Sequence, residues 1–238
     1  MIVYPRNWQK GGRPITLEQI ETAILNVLSK IDCSMITLSG GLDSSLILYY
    51  MSRQRAAVTA FTIAASQYHP DAIYSQLIVS QLPNVKHILY IPTKEDAESM
   101  DVMNDMPGDS AVRLLYRVIA KHTDSVVACD GIDEFLCGYY THRQSPTEKI
   151  YYQHLRELQD LHLIPLDKNS GSVNVYLPYL APEVVSLFSQ IPVSEKVDSK
   201  SRKKVLVGLA QGKLPDAIIN RRKYGFNSAL SNIKEEVR

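Results

Sequence analysis

Met35-Ile36-Thr37-Leu38-Ser39-Gly40-Gly41-Leu42-Asp43-Ser44-Ser45 opens on an apolar run, breaks on two glycines and continues into an apolar helical pattern that reaches Arg53. A strand that feeds a glycine loop and then a helix brings backbone N–H groups and the positive end of the helix dipole to one point, which suits an anion. Phosphate is the natural ligand. Gly40 and Gly41 allow close backbone approach, and Ser39, Ser44 and Ser45 add hydroxyl donors. No lysine follows the glycines, so this is not the phosphate loop of the common ATPases. Asp43 stands there instead, and a carboxylate beside a polyphosphate calls for a bridging cation such as Mg2+. The plain alternative for Asp43 is a first-turn acid that stabilises its own helix.

Outward from this stretch the pattern alternates. Thr16 to Lys30 carries Leu17, Ile20, Ile24, Val27 and Leu28 at helical spacing, with Thr16 as N-cap. Strands are expected near Val58–Ile63, Lys86–Ile91 and Ser125–Ala128, and helices near Asp71–Gln81 and Ser110–His122. Such alternation predicts an α/β fold, a doubly wound parallel sheet covered by helices. From Thr147 onward the β-pattern stops. Helices are expected at Glu148–Leu161, Ala181–Gln190, Arg202–Gln211 and Pro215–Arg221, an all-helical second half packed on the carboxyl edge of the sheet. The expected organisation is one domain over 1–238, with an α/β nucleotide-binding core over 30–145 and a helical part over 146–238.

The 238 residues are 45% hydrophobic and 21% charged, the composition of an ordinary globular protein that needs no disulfide or structural metal to fold. Lys and Arg number 26 against 25 Asp and Glu, which argues against a surface built wholly for nucleic acid or anionic membrane. Positive charge gathers late, at Lys200, Arg202, Lys203, Lys204, Lys213, Arg221, Arg222 and Lys223, with Asp216 as the acid among them. That is a local cationic surface or a solvated helix face. Aromatic residues join it only at Tyr224 and Phe226, which speaks against nucleic acid as the partner. Cys33, Cys129 and Cys137 have neither disulfide-framework nor zinc spacing. No signal-peptide pattern and no apolar run of the roughly 18 residues a membrane span requires is visible, so a cytoplasmic, non-membrane protein is expected.

Ser-Gly-Gly-Leu-Asp-Ser-Ser after a strand resembles the signature of the ATP pyrophosphatases, and in detail the synthetase domain of the asparagine synthetases. Three further segments carry the likeness. Cys129-Asp130-Gly131-Ile132-Asp133-Glu134-Phe135-Leu136-Cys137-Gly138-Tyr139 resembles that family's Gly-Glu-Gly-Ser-Asp-Glu-Leu-Phe-Gly-Gly-Tyr. Val175-Tyr176-Leu177-Pro178-Tyr179-Leu180 resembles its Val-Pro-Phe-Leu segment. Leu214-Pro215, followed by Arg221-Arg222-Lys223-Tyr224-Gly225-Phe226, resembles its Leu-Pro and Arg-x-Lys-x-Gly-Phe. The segments keep the family's order across roughly 30 to 230.

The resemblance implies ATP and Mg2+ as cofactors, with Asp43 and Asp133 as metal ligands. Lys223 would reach the pyrophosphate, and Lys203 or Lys204 matches a further family lysine. Leu38 and Ile63 fall where the family grips adenine, largely through backbone. Asp109 and Ser110 lie in a family-like segment without an assigned role. Asp130 occupies the place of a family glutamate that handles proton transfer, one methylene shorter; relatives that make β-lactam or carbapenam rings carry tyrosine there. Ile2 follows the initiator methionine where the glutamine-using synthetases have a nucleophilic cysteine. The expected reaction is therefore amide formation from a small-molecule or peptide carboxylate, activated as an acyl-adenylate. The nitrogen comes from ammonia, from an amine or from a separate ammonia-supplying subunit. Two other readings remain: an ATP pyrophosphatase that modifies a nucleobase in tRNA, and a non-catalytic nucleotide-binding subunit of an amidotransferase.

Overall fold

The computed structural model describes residues 14–93, 95–96 and 108–222. Its first elements are α1 (Leu17–Lys30), β1 (Met35–Thr37), α2 (Leu42–Gln54), β2 (Val58–Ile63), α3 (Pro70–Val79) and β3 (Val85–Tyr90). Then come α4 (Asp109–Ile119), β4 (Ser125–Val127), α5 (Ile132–Phe135), α6 (Tyr140–Gln144), α7 (Glu148–Leu158), α8 (Ile164–Ser170) and β5 (Asn174–Tyr176). The last are α9 (Pro182–Gln190), α10 (Val193–Lys196), α11 (Lys204–Ala210) and α12 (Asp216–Ile219). The chain divides into two compact units, one made of 33–128, 165–176 and the residues from 214, the other of the residues up to 32 with 129–164 and 177–213.

The first unit is built on a five-stranded sheet in the order β3-β2-β1-β4-β5, with every pairing parallel. Met35 sits opposite Thr59, and Ile36 has Ala60 on one side and Val127 on the other. Ile36, Ala60, Val126 and Val127 are fully buried and Phe61 nearly so, as expected of strands covered by helices. Helix α2 packs on β1 and β2, α3 on β2 and β3, and α4 on β2. This is the expected doubly wound α/β class. The strand order runs outward from β1 through β2 in one direction and from β4 in the other, so β1 and β4 flank the switch point where open α/β sheets bind ligands.

Strand β5 corrects the expectation of an all-helical second half. It has three residues, lies at the sheet edge and pairs with β4 from Ser125–Asn174 to Val127–Tyr176. Asn174 and Tyr176 are exposed, so no buried alternation marked the strand. The helix expected over 148–161 also continues differently. After α7 the backbone widens into a π-helical turn, Gln159–Leu163, closed by the Ile164 N–H donating to the Gln159 carbonyl, and α8 follows. Pro165 at the second position of α8 has no N–H to give, and the wide turn absorbs that break.

In the second unit Thr16 caps α1 reciprocally: its hydroxyl accepts from the Gln19 N–H at 3.2 Å, and Gln19 Oε1 accepts from the Thr16 N–H at 2.9 Å. Ile20, Ile24 and Leu28 of α1 are buried, and α1 packs on α9 and α11, which bury Val184, Phe188, Leu206 and Leu209. All three cysteines are free thiols. Among the described residues no helix is long and apolar enough to cross a membrane.

Lys196 of α10 is fully buried, its Nζ 2.8 Å from the Tyr151 hydroxyl and 4.1 Å from the centre of that ring. Burial pulls its pKa down to about 7, against roughly 10.4 for an unfolded lysine. Between those values the unfolded chain binds more protons at this site than the folded one, so stability rises with pH across that window and is lost as pH falls toward 7. Urea unfolding at pH 7 and pH 9.5 is expected to show wild type gaining stability relative to Lys196→Met at the higher pH; an unchanged gap would contradict the buried-amine account.

Candidate functional site

The glycine loop leaves the carboxyl end of β1 at the switch point. The Leu38 N–H donates to the Phe61 carbonyl at 2.7 Å, and the Thr62 hydroxyl donates to the Leu38 carbonyl at 2.6 Å. Thr62 Oγ1 also lies 2.8 Å from His87 Nε2, and burial pushes the His87 pKa down. Because the hydroxyl proton is already given to Leu38, the neutral imidazole must carry its proton on Nε2. Leu38 and Ile63 are each 2% exposed, so their side chains belong to the core and any ligand contact there falls to backbone.

Gly40 turns the chain at φ +67°, and a Cβ on it would stand 2.3 Å from the Ser75 nitrogen and 2.4 Å from the Tyr74 carbonyl carbon. Only glycine fits between the turn and the backbone of α3. Two hydroxyls brace the loop: the Ser39 N–H donates to Ser44 Oγ and the Gly41 N–H to Ser39 Oγ, both at 3.3 Å. Gly41, the N-cap of α2, has no side chain to cap the helix, so the first amides of α2 are left uncapped by their own N-cap residue, with Asp43 in the first turn. Ser44 is 6% exposed and Ser45 fully buried, which leaves the backbone as the main donor surface of this loop.

Arg221 and Asp71 also meet at this loop, a part that the sequence pattern assigns to neither. The Arg221 guanidinium donates to the Ser39 carbonyl and to the Asp71 carboxylate, and it lies 4.7 Å from the centre of the Tyr74 ring. Arg221 stands in a quoted segment. Asp71 is 150 positions away, and no local pattern links the two.

The second unit holds the other acidic segment. Gly131 (φ +87°) caps α5, and a Cβ there would meet the Leu180 side chain at 2.5 Å. Leu180 belongs to the Val175–Leu180 segment, so two quoted stretches meet here. Asp133 opens α5 and its Oδ1 lies 2.6 Å from Lys203 Nζ, with the side chains 15% and 8% exposed. Gly138 closes over the pair: a Cβ would come within 1.7 Å of Asp133 Oδ1 and 2.3 Å of Lys203 Cε. Lys203 holds a left-handed conformation, φ +52°, as N-cap of α11. The arrangement separates the two adjacent lysines. Lys204 turns away, 38% exposed, to Asp198 and the Ser194 carbonyl, each at 3.2 Å.

Beside Asp133, Glu134 is buried and accepts from the Tyr139 hydroxyl at 2.7 Å, with His162 Nε2 3.5 Å away. Tyr139 stacks on His154 at 4.8 Å between ring centres, and His154 lies 4.4 Å from His142. Burial, helped by His154, holds the His142 pKa down to about 4, while burial and Glu134 push that of Tyr139 up. Asp130 is exposed. Asp109 and Ser110 form the first turn of α4. Lys223 lies outside the described residues.

Among the described residues no group of three or more His, Cys, Asp and Glu side chains is arranged to hold a metal by itself. Asp43 and Asp133 each offer hard carboxylate oxygens, the donor type that Mg2+ takes, with phosphate oxygens and water filling the rest of its shell.

A parallel sheet with a glycine turn and a helix start at its switch point has the geometry that, in open α/β proteins, suits an anionic ligand. The family model described as Asparagine synthase matches residues 34–170 and 167–238, and the chain belongs to that family. It is similar to asparagine synthetase [glutamine-hydrolyzing] 2 of Oryza sativa subsp. japonica, 24% identical over 204 residues covering 75% of this chain and 34% of that protein. The chain thus spans about a third of that relative's length.

Because Lys203 neutralises a largely buried carboxylate, Lys203→Ala is expected to cost about 3 kcal/mol or more, whereas exposed Lys204→Ala should stay within about 0.5 kcal/mol. Gly138→Ala, which forces the pair apart, should cost about 1–3 kcal/mol. Urea midpoints measure all three, and equal effects at Lys203 and Lys204 would contradict the assignment.

Proposed function

We propose that this chain carries an ATP-dependent, AMP-forming ligase activity that joins a carboxylate to a nitrogen nucleophile. The observation that carries the proposal is the glycine turn and uncapped α2 start at the switch point of a chain that belongs to the asparagine synthase family. The first amides of α2 with the Ser39–Ser45 loop bind the phosphates, and backbone at Leu38 and Ile63 receives the adenine. Asp43 and Asp133 would hold Mg2+. Bound there, the ion supplies charge neutralisation on the polyphosphate.

A carboxylate oxygen of the acid substrate attacks the α-phosphorus and the bond to the β-phosphate oxygen breaks, giving an acyl-adenylate and pyrophosphate. Lys203 and Lys223 stabilise the charge that grows on the leaving oxygens. Ammonia or an amine then attacks the acyl carbon, AMP departs, and Asp130 takes the proton that the nitrogen loses. The nitrogen source is a small molecule or an ammonia-supplying partner subunit. Asp133 is already paired with Lys203, so one carboxylate and one ammonium are in place together before any ligand arrives.

The products of ATP decide the reaction class. A panel of carboxylic acids with ammonium and amine donors is expected to yield AMP and pyrophosphate, and Asp43→Asn or Asp133→Asn to lower the rate by about 100-fold or more. Asp130→Asn should cut amide formation by roughly 100-fold while leaving acid-dependent ATP–pyrophosphate exchange intact. ADP and phosphate as products would overturn the proposal. AMP and pyrophosphate formed with tRNA and without any acid would replace it with nucleobase modification.

A further inference from the structure

Arg221 has a 4% exposed side chain directly after α12, and a buried guanidinium is costly unless its donors are engaged. Its two terminal nitrogens are engaged at the Ser39–Ser45 loop and at α3. One terminal nitrogen donates to the Ser39 carbonyl, the other to Asp71, whose side chain is 9% exposed, and the guanidinium sits over Tyr74. Asp71 and Tyr74 both belong to α3, the helix whose Tyr74–Ser75 backbone closes on Gly40. One helix therefore supplies the wall behind the glycine turn, the carboxylate that holds Arg221 and the ring beneath it.

The contact fixes a direction. In a trans peptide the carbonyl and the following N–H point opposite ways, so a donor held on the Ser39 carbonyl sets the Gly40 N–H toward the other side. The neighbouring amides are set by hydroxyls, Ser39 by Ser44 and Gly41 by Ser39. Arg221 is thus the group that orients the peptide these hydroxyls do not reach. Its charge is committed to Asp71, which suits it to orient the loop rather than to bind phosphate.

We propose that Arg221, held by Asp71 and Tyr74, is the positioning residue of the nucleotide loop: it presets the Ser39–Gly40 peptide for the polyphosphate. The inference rests on the Mg-ATP reading above.

Its signature is selective. Arg221 acts on the phosphate end, while the adenosine end is received at Leu38 and Ile63, so Mg-ATP and adenosine should respond differently. Calorimetry with Mg-ATP and ligand-observed NMR with adenosine are compared for wild type, Arg221→Ala, Arg221→Lys and Asp71→Asn, with thermal unfolding of each variant as the check on folding. The expected result is Mg-ATP affinity at least tenfold weaker in Arg221→Ala, with a smaller loss in Arg221→Lys and in Asp71→Asn. Adenosine affinity should stay within twofold of wild type throughout. If Arg221→Ala does not fold, the same selectivity is required of the two milder variants. Equal losses for both ligands would reduce Arg221 to a general structural role, and unchanged Mg-ATP affinity would remove it from the loop; either overturns the proposal. A wild type that binds adenosine but not Mg-ATP, or neither, overturns the nucleotide reading itself.

Discussion

The backbone of α3 stands so close behind the end of β1 that residue 40 has no room for a side chain. That steric limit, together with a φ of +67°, forces the chain to turn sharply where the strand stops. The turn lets α2 begin at once, with its N-terminus at the carboxyl edge of the sheet and a glycine, without a side chain, as its N-cap. The same helix α3 then holds the turn through Asp71 and Arg221. A larger residue at position 40 would push the loop off α3 and lose the sharp turn.

The acidic segment of the other unit is governed by a different constraint, charge balance in a space with little water. Asp133 and Lys203 neutralise each other, and the absent side chain of Gly138 lets them do so at 2.6 Å. Lys203 accepts a left-handed backbone to present its ammonium there, and conformations of that kind persist only where the surroundings impose them.

Much of this was legible in the chain. Strands β1 to β4 fall within a residue or so of the expected runs; β1, β2 and β4 are written as apolar stretches because they are buried between helices, while edge strand β3 mixes Lys86 and His87 with apolar residues. The Thr16 cap was readable as well, since capping chemistry is local. Strand β5 was not: three residues with exposed ends are held by backbone pairing to β4 and carry no side-chain signature. The choice between Lys203 and Lys204 was hidden because adjacent lysines look alike until the left-handed turn at Lys203 sends one inward and the other out. Arg221 was visible as a motif residue, but its partners Ser39 and Asp71 lie far off in the chain, and only folding brings them together.

The central claim is that the Ser39–Ser45 turn binds the polyphosphate of ATP with a divalent ion. Its most direct test is a calorimetric titration of the full chain with ATP in the presence and absence of Mg2+, repeated on Gly40→Ala with thermal unfolding followed alongside. The account requires saturable binding to wild type that depends on Mg2+ and is lost in Gly40→Ala. Absence of binding with Mg2+ present, or equal binding by a folded Gly40→Ala, would contradict it.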